Sequence, residues 1–183
     1  MKGEKSSVIS VVVATRGRPQ AILDTIHSLV RQQDMKGRHF EIIVVDNNSD
    51  DITRHNIDTY IKERIDEIGK YHASLKVVKE VRKGLSFARN SGVNAASSSL
   101  IAFTDDDIVV ENYWLSTIID TFNDAEVMGV FGFTRGATED YFISTKTDTR
   151  VCDYRDPSKI WEVGHGNNMA FRKNALIGIG LFD

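Results

Sequence analysis

Over the first 133 residues, short β-branched runs alternate with segments in which apolar residues recur at helical spacing. The runs 8–14 and 41–45 have almost no polar alternation, which is typical of strands buried on both faces. Shorter runs at 75–78, 100–104 and 127–133 continue the series. Strands and helices that alternate with short connections form βαβ units. We therefore expect the α/β class, with a three-layer α/β/α sandwich around a mostly parallel sheet.

Helical spacing marks the faces that should cover this sheet. Ile22 and Ile26 belong to an apolar stripe that follows Pro19, and proline suits the first turn of a helix. Tyr113 and Trp114 open another stripe. We expect both stripes to pack in the core.

The composition excludes several classes of protein. The chain has 183 residues, the size of one domain, and its formal charge of −3 gives no bulk attraction for nucleic acid. No apolar run is long enough to span a membrane. The single cysteine, Cys152, has no partner for an intramolecular disulfide. The sequence therefore predicts a cytoplasmic protein that neither crosses a membrane nor binds nucleic acid.

Polar side chains follow three of the predicted strands at the point where each strand ends. Thr15 and Arg16 follow the first strand, Asp46 follows the second, and the acidic triplet 105–107 follows the fourth. Ligands of parallel sheets bind at the carboxyl ends of the strands. Two carboxylates spaced i and i+2 suit a hard cation such as Mg²⁺, which proteins commonly hold together with substrate phosphates. The alternative is a solvated acidic turn that caps the following helix.

The first strand end lacks the common phosphate-binding loops. Neither G-x-G-x-x-G nor a glycine-rich loop ending in Lys-Ser/Thr follows it. Arg16 and Arg18 stand there instead and place two cations where a diphosphate would lie. Asp46, at the end of the second strand, suits a hydrogen bond from a ribose or a base. The pattern indicates a nucleotide site that is not of the dinucleotide type.

Five sequence blocks in a fixed order carry a more specific pattern. They are residues 11–16, 43–51, 83–90 and 103–107, and 166–172 with 180–183. Together these blocks resemble glycosyltransferase family 2, whose members have the GT-A fold and use nucleotide-sugar donors. The resemblance implies transfer of a sugar, with inversion, from a nucleotide-diphosphate donor to an acceptor hydroxyl. It favours a UDP-sugar as donor and polysaccharide biosynthesis as the setting.

The resemblance also implies an organisation and a set of partners. The whole chain, 1–183, would be one GT-A domain, with a nucleotide-binding half at 1–133 and an incomplete start of an acceptor-binding half at 134–183. The acceptor would be a saccharide, a lipid-linked molecule or another hydroxyl compound. The protein would work in the cytoplasm or peripherally at the inner face of the membrane.

Individual roles follow from the same resemblance. Asp46 would accept the N3–H of a pyrimidine base. Asp105 and Asp107 would form a D-x-D pair that carries Mg²⁺ or Mn²⁺ as cofactor between the two phosphates, with Asp107 and Asp105 as the metal ligands. The donor-binding residues that the resemblance implies are Thr15, Arg16, Arg18, Asp46, Asn48, Lys83, Gly84, Arg89, Asp105 and Asp106.

One part of the family pattern is missing. Family members normally continue past the block that ends at Asp183 and supply there the carboxylate that takes the proton of the acceptor hydroxyl. We therefore expect a truncated domain with its general base beyond Asp183. One alternative is a non-catalytic nucleotide-sugar-binding module. Another is a haloacid-dehalogenase-type phosphatase, because residues 105–109 fit D-x-D-x-V, although that signature normally follows the first strand of the chain.

Overall fold

The elements follow one another in the predicted alternation. The computed structural model describes residues 7–132, 134, 136 and 166–183. Its strands are β1 (Ile9–Thr15), β2 (Phe40–Asp46), β3 (Ala73–Lys79), β4 (Leu100–Asp105), β5 (Gly129–Phe131) and β6 (Asn168–Arg172). Its helices are α1 (Pro19–Val30), α2 (Asp51–Lys70), α3 (Leu85–Ala95), α4 (Trp114–Thr121) and α5 (Lys173–Gly178).

The strands of the described residues form one sheet in the order β3-β2-β1-β4-β6-β5. β1 pairs in parallel with β2 and with β4, and β2 pairs in parallel with β3. β6 runs antiparallel to both β4 and β5. The predicted mostly parallel sheet is confirmed. β1 lies between the strands that end at Asp46 and Asp105, which decides where the site forms.

The two faces of the sheet carry separate apolar cores, because successive residues of a strand point to opposite faces. On one face, Val11 and Val13 belong to a buried cluster that includes the inner sides of α1, α2 and α4. On the other face, Val12 packs with Ala88 and Val93 of α3. Helices thus cover both faces, and the expected three layers are confirmed.

Local signals explain where the helices start. Pro19 opens α1 at a position where its missing N–H breaks no helical hydrogen bond. The Asp50 carboxylate caps α2 by accepting a 2.8 Å hydrogen bond from the Thr53 N–H. α4 begins at Trp114, so Tyr113 precedes the helix and is 56% exposed. The predicted place of Tyr113 in the core is therefore wrong.

Some expectations fall on parts of the chain that the structure does not describe. Residues 137–165, which include Cys152 and a large part of the expected acceptor-binding half, are among them. The division of the chain at residue 133 stays a prediction. In the described residues, every helix is too short or too polar to cross a membrane.

Candidate functional site

The strand register brings the predicted site residues to one edge of the sheet. Thr15 at the end of β1 lies beside Asp46 at the end of β2, and Ala14 lies beside Asp105 at the end of β4. All three strands run in the same direction, so the polar residues that follow them share the carboxyl edge. Thr15, Asp46 and Asp105 therefore lie at the same edge of the sheet.

The middle residue of the acidic triplet joins two strand ends. Asp106 is buried, and its Oδ2 accepts a 2.7 Å hydrogen bond from the hydroxyl of Thr15. Its Oδ1 accepts a 3.1 Å hydrogen bond from Nη1 of Arg18. Both carboxylate oxygens are thus engaged by the protein. Asp106 and Thr15 hold the loop after β4 against the end of β1, and neither side chain is open to solvent.

The outer residues of the triplet are more accessible. Oδ2 of Asp107 lies 2.6 Å from Nη1 of Arg18, and the side chains of Asp107 and Arg18 are 52% and 55% exposed. Oδ1 of Asp105 lies 3.6 Å from Nη2 of Arg89. Burial raises the pKa of the Asp105 carboxyl and Arg89 opposes this, while the neighbouring carboxylates Asp107 and Asp106 raise it further. Asp105 and Asp107 are therefore the two carboxylates with room for a further ligand.

Asp46 is 2% exposed and is fixed by its own turn. Its Oδ1 accepts a 2.7 Å hydrogen bond from the Ser49 N–H, and its Oδ2 lies 3.9 Å from Nη1 of Arg54. Ser49 Oγ in turn accepts a 3.2 Å hydrogen bond from the Gly17 N–H. These bonds tie the turn after β2 to the loop after β1.

Asn47 belongs to the site although it is not among the predicted donor-binding residues. Its side-chain nitrogen donates to the carbonyl oxygens of Glu80 and Arg82 at 3.2 and 2.6 Å, and its Oδ1 accepts from the Gly84 N–H at 3.0 Å. Its own N–H donates to Thr15 O at 2.9 Å. Gly84 has a φ of +145°, a conformation that favours glycine. Asn47 therefore fixes the segment that carries Gly84 against the centre of the site.

Three predicted donor-binding residues form no side-chain hydrogen bond or ion pair with the rest of the cluster in the described part of the chain. Arg16, Asn48 and Lys83 are exposed. Within the described part of the chain, Arg16 and Lys83 form no ion pair, so both cations are free to meet an anionic ligand. Asn48 has a φ of +61°, which asparagine tolerates better than most residues.

Arg89 links the site to the last described segment. Its Nη2 donates a 2.8 Å hydrogen bond to Gly166 O, and its guanidinium lies 5.5 Å from the ring centre of Phe182. Burial lowers the pKa of Arg89, and the charge of Asp105 opposes this. Asn90, the next residue, exchanges two hydrogen bonds with the backbone of Phe182. The Arg89 side chain is only 15% exposed, so it is placed to orient Asp105 from within the protein and does not project into solvent.

The carboxylate oxygens of the acidic triplet suit a hard divalent cation as ligands. Among the described residues there is no group of three or more His, Cys, Asp or Glu side chains that would hold a metal unaided. Asp105 and Asp107 offer carboxylate oxygens, which Mg²⁺ and Mn²⁺ prefer. The guanidinium of Arg18, seated between Asp106 and Asp107, shows that positive charge is accommodated there. The residues fit a cation that takes its remaining ligands from a bound diphosphate.

Comparison with known protein sequences gives a family. The sequence profile of glycosyl transferase family 2 matches residues 10–179. One curated relative is the glucosyl-dolichyl phosphate glucuronosyltransferase of Haloferax volcanii. The alignment runs over 189 positions at 24% identity, and it covers 96% of this chain and 56% of the relative.

Solved structures share the fold of this chain. The 1–349 portion of TarS from S. aureus, in complex with UDP-GlcNAc, has a TM-score of 0.75 at 18% identity, and the match covers 96% of this chain and 48% of that portion. The mannosyltransferase PcManGT from Pyrobaculum calidifontis, in complex with GDP-Man and Mn²⁺, has a TM-score of 0.71 at 19% identity, with coverages of 96% and 47%. The chain thus spans about half the length of the curated relative and of these two crystallised chains. The expected glycosyltransferase α/β fold is confirmed, and the chain belongs to glycosyl transferase family 2.

Proposed function

We propose that the carboxyl edge of the sheet is the donor site of a glycosyltransferase. The enzyme would move a sugar from a UDP-sugar to an acceptor hydroxyl, with inversion and with Mg²⁺ or Mn²⁺. The observation that carries this proposal is the strand register, which puts Asp46 on one side of Thr15 and the acidic triplet on the other. A nucleotide sugar has the order base, ribose, diphosphate, sugar. Its base at β2 and its diphosphate at β4 match that order.

Asp46 is the residue that would select the base. Its Oδ1 is used by the Ser49 N–H, and Oδ2, which lies 3.9 Å from Nη1 of Arg54, would be the acceptor for a ligand. An ionised carboxylate accepts hydrogen bonds and cannot donate them. Uracil carries a hydrogen at N3, whereas N3 of cytosine is an acceptor. A carboxylate at this position therefore favours uridine over cytidine nucleotides.

The phosphates would contact two positively charged side chains and a divalent metal ion. Asp105 and Asp107 would hold the divalent ion, which when bound neutralises charge on the departing nucleoside diphosphate. Arg16 and Lys83 are exposed and would orient the phosphate oxygens by charge-assisted hydrogen bonds. Asp106 would keep the triplet in place through Thr15 instead of binding the donor directly.

The acceptor side rests on the relatives alone. One of them is named for glucosyl-dolichyl phosphate, which supports a lipid-linked acceptor for this protein as well. The location of the general base beyond Asp183, and the split into two halves, stay predictions. Membership of a transferase family removes the phosphatase alternative. A non-catalytic nucleotide-sugar-binding module remains the second candidate, because the chain spans only 56% of the length of the Haloferax volcanii relative.

A thermal-shift panel tests the donor site. The protein is heated with UDP, CDP, GDP or no nucleotide, each with Mn²⁺, Mg²⁺ or chelator. We expect the largest rise in melting temperature with UDP and a divalent metal, since a ligand that binds only the folded state stabilises it. Asp107→Asn should lose this rise. Asp66→Asn, which removes an exposed carboxylate from α2, should keep it.

The proposal fails if no nucleoside diphosphate shifts the melting temperature with either metal. It also fails at the metal site if Asp107→Asn and wild type show the same metal-dependent shift. Transferase and binding module are separated by the product. Mass spectrometry of a sugar-extended acceptor supports the transferase, and donor binding without any product supports the module.

A further inference from the structure

We infer that Arg18 is a built-in counterion for the acidic triplet, and that it must leave the triplet before a divalent cation binds there. On this view, metal enters the site together with a nucleoside diphosphate, because the phosphates attract the Arg18 side chain away from the carboxylates. The inference rests on the proposed function. It adds an order of binding and names the residue that imposes it.

The geometry places one guanidinium nitrogen of Arg18 on Asp107, which is one of the two proposed metal ligands. Nη1 of Arg18 is 2.6 Å from Oδ2 of Asp107 and 3.1 Å from Oδ1 of Asp106. Three consecutive carboxylates repel one another unless a positive charge is nearby. Arg18 supplies that charge from within the chain, so the triplet is stable without a metal.

The ion pair between Arg18 and Asp107 can be broken at little cost in stability. The side chains of Arg18 and Asp107 are both about half exposed, and exposed ion pairs contribute little to stability. Asp106, by contrast, is buried and keeps its bond to Thr15 when Arg18 moves. The triplet therefore holds its position after the guanidinium has left.

The backbone at Arg18 allows the side chain to swing while its base stays fixed. Arg18 is the residue before helix α1, and Pro19 follows it with a constrained φ. Gly17, on its other side, donates a hydrogen bond to Ser49 Oγ. Rotation about the side-chain bonds alone is then enough to redirect the guanidinium. Its planar donors match phosphate oxygens as well as they match a carboxylate.

Electrostatics makes Arg18 and the metal competitors. A guanidinium and a divalent ion that share Asp107 would lie only a few ångströms apart and repel each other. Even in a well-solvated site, two unit charges of the same sign about 4 Å apart repel each other enough to weaken binding roughly fivefold. A divalent ion carries two such charges. Removing Arg18 should therefore strengthen metal binding to the nucleotide-free protein by roughly tenfold or more.

The test measures Mn²⁺ binding to the full chain by calorimetry and by the free-ion signal in electron paramagnetic resonance, with and without UDP. Arg18→Met is compared with Lys62→Met, which removes one positive charge from an exposed position on α2. Without UDP, we expect Arg18→Met to bind Mn²⁺ about tenfold tighter than wild type, and the Mn²⁺ affinity of Lys62→Met to change by no more than about threefold. Addition of UDP should strengthen Mn²⁺ binding strongly in wild type and much less in Arg18→Met.

Arg18→Lys provides a second variant in case Arg18→Met folds poorly, as judged by circular dichroism. It keeps the charge, so it should bind Mn²⁺ as weakly as wild type when UDP is absent. The inference is overturned if Arg18→Met and wild type bind Mn²⁺ equally without UDP while wild type binds Mn²⁺ with UDP. That result leaves the proposed donor site intact. Absence of UDP binding to wild type under all conditions overturns both.

Discussion

The hydroxyl of Thr15 donates a 2.7 Å hydrogen bond to Oδ2 of Asp106 across 91 positions of the chain. Both residues are buried, and they stand at the ends of the neighbouring strands β1 and β4. This bond fixes the acidic triplet relative to the strand that separates it from Asp46. The spacing of the candidate donor site therefore depends on it.

Thr15→Val tests the importance of this bond. Valine keeps the shape of the side chain but leaves a buried carboxylate oxygen of Asp106 without its donor, a loss of about 1–3 kcal/mol. We expect a lower free energy of unfolding in urea and weaker binding of UDP with Mn²⁺. Thr15→Ser keeps the hydroxyl and should lie close to wild type. Equal stability and affinity in the Val and Ser variants would show that the bond does not matter.

Gly92 is required by the packing of α3 on β1. A Cβ atom at Gly92 would overlap Cγ1 of Val12, far inside van der Waals contact. We expect Gly92→Ala to destabilise the protein by about 1–3 kcal/mol, because the helix must shift away from the sheet. Gly69 in α2 has open space around it, so Gly69→Ala should be neutral or stabilise by up to about 1 kcal/mol. Chemical denaturation measures both, and a stable Gly92→Ala variant would contradict the close packing.

A buried carboxylate lies at the opposite edge of the sheet. Glu41 on β2 accepts hydrogen bonds from the hydroxyls of Ser10 and Ser97, and its Oε2 lies 2.9 Å from Lys76 Nζ. Burial raises the pKa of Glu41, but the hydrogen bonds from Ser10, Ser97 and Lys76 outweigh it and hold the pKa at about 2, below the ordinary value of 4.5. The ionised form is therefore the one that the folded state favours.

This shift predicts an acid-sensitive part of the stability. A carboxyl whose pKa is lower in the folded state stabilises the fold fully above its unfolded pKa, and the stabilisation is lost as the pH falls from about 4.5 towards 2. We expect a loss of roughly 1–3 kcal/mol from Glu41 over that range. In Glu41→Gln, stability at pH 7 should be lower and its decline below pH 5 shallower. An unchanged pH slope, measured by urea unfolding at several pH values, would refute the role of Glu41.

Asp46 predicts a choice between two pyrimidine nucleotides. UDP and CDP have the same ribose and phosphates and differ at the edge of the base that would face Asp46. We expect UDP to bind at least tenfold tighter than CDP, since a carboxylate opposite an acceptor nitrogen leaves both unpaired. Asp46→Asn introduces a hydrogen-bond donor and should reduce the preference for UDP over CDP. Competition titrations with both nucleotides measure it, and equal affinities in wild type would place the base elsewhere.

The strand ends of the site could be predicted because they follow from hydrophobic pattern and topology. Buried β-branched runs fix β1, β2 and β4, and the parallel order then forces Asp46 and Asp105 to one edge. The pattern is less informative where a helix begins. The stripe that includes Tyr113 fits helical spacing, yet the helix starts one residue later and leaves this ring exposed.

The contacts within the site could not be read from the sequence. Arg18 was predicted to line a nucleotide, but its pairing with Asp106 and Asp107 depends on side-chain rotamers that no spacing encodes. Asn47 was missed because its partners are the backbone groups of a distant loop. Its position next to Asp46 at a strand end was the available signal, since a polar residue buried there needs partners.

Calorimetric titration of UDP into the protein, with Mn²⁺ and with chelator, tests the central claim most directly. The account predicts one UDP per chain in the presence of Mn²⁺, binding at least tenfold weaker in chelator, and loss of the metal dependence in Asp107→Asn. Failure of UDP to bind with Mn²⁺ present, or equal binding with and without the metal, would contradict a site built from Asp46 and the acidic triplet.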